Sequence, residues 1–148
     1  MRRVGAAAVG VAAIGVVGAG WAVLGWARRR FMLITVRGTS MAPTYRNGER
    51  LIVRRGGYAA GDVVLFRAPA PHRVQWLVKR AVAVGGDPVP ADLLARAGVS
   101  VVPPGRLLVR SDAPDGLDSR QLGLIDGRDV AGVVRGPRAA STATALPA

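Results

Sequence analysis

Residues Val74–Val84 read VQWLVKRAVAV, a run free of glycine and proline and rich in valine, and its composition predicts one long strand. Inside it sits Lys79, the single lysine among 21 Lys and Arg residues. Working outward, the text on either side keeps the same character. Short β-branched runs alternate with glycine, proline, aspartate and asparagine, and strands are expected at Met32–Arg37, Arg50–Arg54, Val63–Arg67, Arg106–Arg110 and Val130–Val134. RNGE, RGGYAAGD, VGGDP, PPGR and APDG supply the turns between them. Only Ala91–Ala97, ADLLARA, suggests a short helical turn. The expected fold is all-β: a small, mostly antiparallel domain over residues 31–136, followed by a disordered tail over 137–148.

The first thirty residues are of a different kind. From Val4 to Ala27 the chain carries no charge over 24 residues. As a helix this segment would span roughly 36 Å, more than the hydrocarbon thickness of about 30 Å. Trp21 and Trp26, followed by Arg28-Arg29-Arg30, have the form of an interfacial anchor. Residues 1–30 are therefore expected to be a retained membrane anchor with a transmembrane helix at about 4–27, in preference to a cleaved secretory signal. Arginines flank both ends, so charge does not choose the orientation.

The formal net charge of +12 brings an anionic partner, lipid headgroups or nucleic acid, into consideration. The arginines are scattered, and no basic helix or aromatic-interleaved motif accompanies them, so no nucleic-acid partner is expected. With no cysteine the chain has no disulfide, thiolate nucleophile or cysteine metal site. Its one histidine, His72, lies in the proline-rich stretch APAPHRV, read as a solvated loop. A His-dependent triad or a His-rich metal site has little to build on, and no cofactor or metal is expected.

A free lysine, with a pKa near 10.4, is neutral in only about one molecule in a thousand at pH 7.4. Desolvation can lower that pKa by up to about 3–5 units and turn the amine into a general base. Arginine cannot take this role, because its guanidinium keeps its proton. On the residues alone two readings of Lys79 stand: a buried base among Leu77, Val78, Ala81 and Val82, or an amine that snorkels from a strand edge to water. A base needs a nucleophile. In VRGTSMAPT, Val36–Thr44, Ser40 follows a strand, sits on a glycine-containing bend and is backed by Pro43, a setting that exposes its hydroxyl and leaves its backbone N–H for an oxyanion. Taken singly, a serine in such a loop is as readily a turn residue.

GTSMAPT followed by GERLIV, then GDVVLF (Gly61–Phe66), VKRAVAVGGD (Val78–Asp87) and PPGRLLVRSDAPDGLDSRQLG (Pro103–Gly123) resemble, in order, the successive boxes of the type I signal peptidases. The resemblance runs from about Val36 to Val134. It implies an all-β catalytic core behind an N-terminal membrane helix, and a Ser–Lys dyad with Ser40 as nucleophile and Lys79 as general base. The Ser40 N–H would be one oxyanion donor. Some family members add a serine hydroxyl two residues before the nucleophile, where this chain has Gly38, and Met41 would help wall the substrate pocket. In the last box Asp118 and Arg120 resemble an ion pair bracing the site. The chain departs from the pattern at two places. Gly116 stands where the family commonly has a serine hydrogen-bonded to the lysine, and Ser111-Asp112-Ala113 replaces the usual GDN; both changes are expected to loosen the support around Lys79.

The interval between Lys79 and LDSR leaves no room for the large accessory β-domain of some Gram-negative relatives, so the resemblance is to a minimal enzyme of Gram-positive, mitochondrial or dedicated maturation type. By the same resemblance the substrates are exported precursor proteins with small residues at the first and third positions before the cut. The enzyme would be single-pass in the plasma membrane, with its catalytic domain outside the cytoplasm. Two other classes are compatible with the residues: a membrane-tethered homologue that binds precursors without cleaving them, and a basic membrane-surface or nucleic-acid-binding module.

Overall fold

In the computed structural model, which describes residues 20–69 and 76–136, the strand pattern forms one seven-stranded sheet in which every neighbouring pair is antiparallel. The strands are β1 (Phe31–Thr35), β2 (Arg50–Arg54), β3 (Val63–Arg67), β4 (Trp76–Val84), β5 (Arg106–Arg110), β6 (Ile125–Asp126) and β7 (Val130–Arg135), in the spatial order β1-β2-β7-β3-β4-β5-β6. Three of the expected strands, β2, β3 and β5, keep their expected limits. β1 begins one residue earlier and ends at Thr35, leaving Val36 and Arg37 to the loop that carries Ser40, and β7 runs one residue further, to Arg135. Val74 and Gln75, at the start of the long strand, lie outside the described residues, as do His72, the tail from Pro137 and residues 1–19 of the expected anchor.

β3 is central, and its sequence explains why. Val63 and Leu65 point into one apolar cluster with Met41, Tyr45, Leu51, Val53 and Val134, whereas Val64 and Phe66 point into a second with Ala81, Leu107, Val109, Ile125 and Val133. A strand with period-2 side chains that are apolar on both faces can only be stable where both faces are covered. β4 continues the second face through Lys79, Ala81 and Ala83, all buried, with a register shift between Ala81 and Ala83. A third cluster, Ala83, Val89, Leu93, Val102 and Leu108, is closed by a 3-10 turn at Ala91–Leu93 and the short helix α2 (Leu94–Ala97), at the place where a helical turn is expected. Helix α3 (Ser119–Leu122) and strand β6 are additions to the expected set.

Helix α1, of which residues 20–30 are described, leads directly into β1. Among the described residues no helix is long and apolar enough to cross a membrane. Trp21, Val23, Leu24 and Trp26 of α1 are exposed, as are Leu33, Ile52 and Trp76 of the sheet. Phe31 meets the Trp26 ring edge-on at 6.4 Å, and the Arg30 guanidinium lies 5.8 Å from the centre of the same ring, a cation–π contact.

Candidate functional site

β1 is an edge strand: it pairs with β2 on one side only, and beside it runs a groove of about 970 Å³. Met32, Ile34 and Val36 line it together with Leu65, Leu77 and Val78, and Ser40 with Met41 stand among the lining residues. The loop carrying Ser40 is built by short-range bonds. Ala42 N–H donates to Thr39 O at 2.9 Å, Tyr45 N–H to Met41 O at 2.8 Å, and Gly48 N–H to Val36 O at 2.8 Å, so a tight turn hangs from the end of β1. Met41 is buried at 1% exposure and serves core and groove together. Gly38 has φ +92°, a conformation that disfavours any side chain, and its N–H is held by Asn47 Oδ1 at 2.9 Å, so residue 38 offers no second oxyanion donor. Among the described residues the Ser40 N–H has no hydrogen-bond acceptor.

Lys79 is 2% exposed. It lies opposite Val64 on β3, on the face of β4 that buries Ala81 and Ala83, and this disposes of the snorkelling reading. Burial pushes the amine below its ordinary value of 10.5, while the charges of Asp118 and Asp112 act in the opposite direction. Burial prevails, which favours the neutral amine. Ser40 and Lys79 are not hydrogen-bonded to each other among the described residues, and catalytic hydrogen bonds are commonly long outside the reacting complex.

The segment that follows β5 ties the Ser40 loop to helix α3. Ala113 N–H donates to Ser40 O at 3.0 Å, and Ser111 N–H donates to Asp118 Oδ2 at 3.0 Å. Asp118 is fully buried and caps α3: it accepts from the Arg120 N–H, while Gln121 returns a contact to the Asp118 N–H. Arg120 also binds the Asp118 carboxylate through Nε at 3.0 Å and Nη2 at 2.9 Å, and reaches Pro114 O at 2.8 Å. Burial alone would raise the Asp118 pKa, but hydrogen bonds from the Arg120 side chain and from the Ser111 and Arg120 N–H groups outweigh it and hold the carboxyl ionised.

Sequence reasoning missed a second tie. Asp112 receives Arg80 through Nε at 2.9 Å and Nη2 at 2.7 Å, and also accepts from the Thr44 hydroxyl, while Arg80 Nη1 donates to Gly61 O at 3.1 Å. The Arg80–Asp112 pair thus joins β4, the turn before β3 and the end of the Ser40 loop. Bidentate charge-assisted bonds of this kind fix geometry as well as add energy. The signal was present in the alternation: Arg80 neighbours buried Lys79 and must leave the opposite face of β4.

Gly116 is closely approached by other side chains. A Cβ at position 116 would overlap Ser111 Oγ and Cβ and stand 3.0 Å from Ser40 Cβ. The space that a side chain at 116 would take is held by Ser111, the residue that marks the other departure from the family pattern. No group of His, Cys, Asp or Glu suited to a metal ion occurs among the described residues.

The family model described as signal peptidase, peptidase S26, matches residues 7–93, more than half of the chain, a span that includes both Ser40 and Lys79. Among curated proteins none matches the chain.

Proposed function

Because the chain belongs to the signal peptidase family, peptidase S26, we propose that it is a membrane-anchored serine endopeptidase that removes signal or leader peptides from exported precursors by a Ser40/Lys79 dyad. The observation that carries this reading is the burial of the only lysine, on β4, beside the segment that holds Ser40. Neutral Lys79 takes the proton of the Ser40 hydroxyl as its oxygen attacks the scissile carbonyl; the oxyanion is met by the Ser40 N–H, and the ammonium then protonates the departing amine. A water molecule repeats the sequence on the acyl-enzyme and returns Ser40 to its starting form.

Substrate selection follows from the groove. An extended peptide can add to the open edge of β1, placing alternate side chains against Met32, Ile34, Leu65 and Val78, where apolar walls favour small uncharged residues. The full chain in detergent is expected to cut a precursor peptide with alanine at the first and third positions before the bond, and to lose that cut when a bulky residue replaces the first alanine. Cleavage indifferent to that residue, measured by mass spectrometry of the products, would remove this assignment.

The exposed apolar residues of α1, β1 and β2, with Trp76, support docking of this end of the domain at a lipid surface, continuous with the uncharged segment that precedes it. In the proposed topology the N-terminus is cytoplasmic and everything after Arg30 lies outside. Protease added to intact spheroplasts should then digest a C-terminal tag, and a fully protected tag would reverse the orientation.

A further inference from the structure

Ser111 is the first residue beyond β5, and its hydroxyl oxygen is buried with no hydrogen-bond partner among the described residues. Folded chains rarely keep such a group without a use for it, because a buried hydroxyl that lost its water and gained nothing is a cost. Its backbone is not free to move the oxygen elsewhere. The Ser111 N–H is tied to buried Asp118, and two residues on, Ala113 is tied to the Ser40 carbonyl.

Two independent placements bring this hydroxyl to the dyad. On the sheet, Arg80 lies opposite Arg110, so the next rung of the antiparallel ladder sets residue 111 against Lys79. In the loop, the Ser111 side chain occupies the space above Gly116, and a methyl group added at Gly116 would also come within 3.0 Å of Ser40 Cβ; the two serine side chains therefore face one small hollow. Lys79, 2% exposed, is the buried amine on the strand across from it.

We infer that Ser111 Oγ orients the Lys79 amine toward Ser40, so that Ser111 is a positioning residue of the dyad and the glycine at 116 is what makes room for its side chain. The inference rests on the Ser40/Lys79 reading. A neutral amine has two N–H bonds and one lone pair. Giving one N–H to the Ser111 oxygen leaves the lone pair to receive the Ser40 proton, whereas an amine without that contact is free to turn its lone pair away. The two groups are not bonded in the structure; the inferred contact belongs to the reacting complex, in which catalytic hydrogen bonds tighten. Burial of Lys79, which favours the neutral form, is consistent with the same picture.

The test uses the full chain in detergent with the alanine-containing precursor peptide. Ser111→Ala keeps the Cβ that fills the hollow and removes only an unpartnered hydroxyl. It should lower kcat by about tenfold or more, with KM changed less than about twofold and the melting temperature unchanged. Gly116→Ser alone should be equally impaired, because its side chain collides with Ser111. Ser111→Gly combined with Gly116→Ser moves the hydroxyl across the hollow and should restore kcat to well above either Ser111→Gly or Gly116→Ser alone, a rescue that a purely structural role does not predict.

Wild-type kcat in Ser111→Ala, with Ser40→Ala inactive, would overturn the inference and leave the dyad standing; cleavage by Ser40→Ala at the wild-type rate would overturn both. A readout independent of turnover is available because Lys79 is the only lysine: its single 13Cε resonance should shift in Ser111→Ala, and an unmoved resonance counts against the contact.

Discussion

Ser40→Ala should lower precursor cleavage by at least about a thousandfold while leaving the melting temperature and membrane attachment unchanged. The size of the effect follows from the chemistry. Without the hydroxyl no acyl-enzyme forms, and what remains is the modest help of a bound substrate beside the free Ser40 N–H. The absence of a stability effect follows from the structure. Ser40 is only partly buried, its side chain forms no hydrogen bond among the described residues, and the bond that matters to the fold, from Ala113 N–H to Ser40 O, is made by the backbone and survives the substitution. The comparison is made on purified full chain in detergent, following product formation together with thermal unfolding by circular dichroism. A mutant that cleaves as fast as the parent would transfer the nucleophile elsewhere.

How far the sequence could be read depended on the range of the interactions concerned. β2, β3 and β5 are local facts: an apolar run bounded by turn residues decides them, and their limits agree with the reading of the text. The place of β7 between β2 and β3 is a long-range fact, because nothing in VAGVVR names the partners that Val133 finds in Val64 and Arg54. β6 has only two residues, too few to show a period. α3 could have been found: Asp118 followed three residues later by Gln121 is a capping pattern, and both of its reciprocal contacts are formed.

The site divides in the same way. Ser40 and Lys79 stand out in the sequence, each by its residue type in its own setting. The support around them does not: Arg80 and Asp112 are 32 positions apart, and Thr44 and Asp112 are 68 apart. Gly116 read singly is a loss of support. Read with Ser111 in space it is one half of an exchange, since the side chain missing at one position is present at the other and fills the same volume.

Replacing Lys79 separates catalysis from stability, since three substitutions should agree in one respect and differ in the other. Lys79→Arg, Lys79→Met and Lys79→Ala should all lose kcat by about a thousandfold or more, because none can accept the Ser40 proton near neutral pH. On stability they should part. Burial lowers the Lys79 pKa against the opposing pull of Asp118 and Asp112, so between that lowered value and the ordinary 10.5 the unfolded chain holds a proton that the folded chain does not. Folding stability attributable to this group therefore rises with pH across that window, and below it the folded state carries the cost of a buried charge. Lys79→Met keeps an unbranched stem and carries no charge, so it should unfold at a higher temperature than the parent at neutral pH and lose the rise with pH. Lys79→Arg forces a permanent cation into a site that is 2% exposed and should unfold at a lower temperature. Lys79→Ala leaves a cavity and should also fall, for want of packing. In the parent enzyme the acidic limb of kcat/KM should report a lysine titrating below 10.5, and the single 13Cε lysine resonance should titrate with the same midpoint in the free enzyme. An arginine variant that kept most of the turnover would show that a fixed cation suffices at this position, and the general base would have to be sought in another residue.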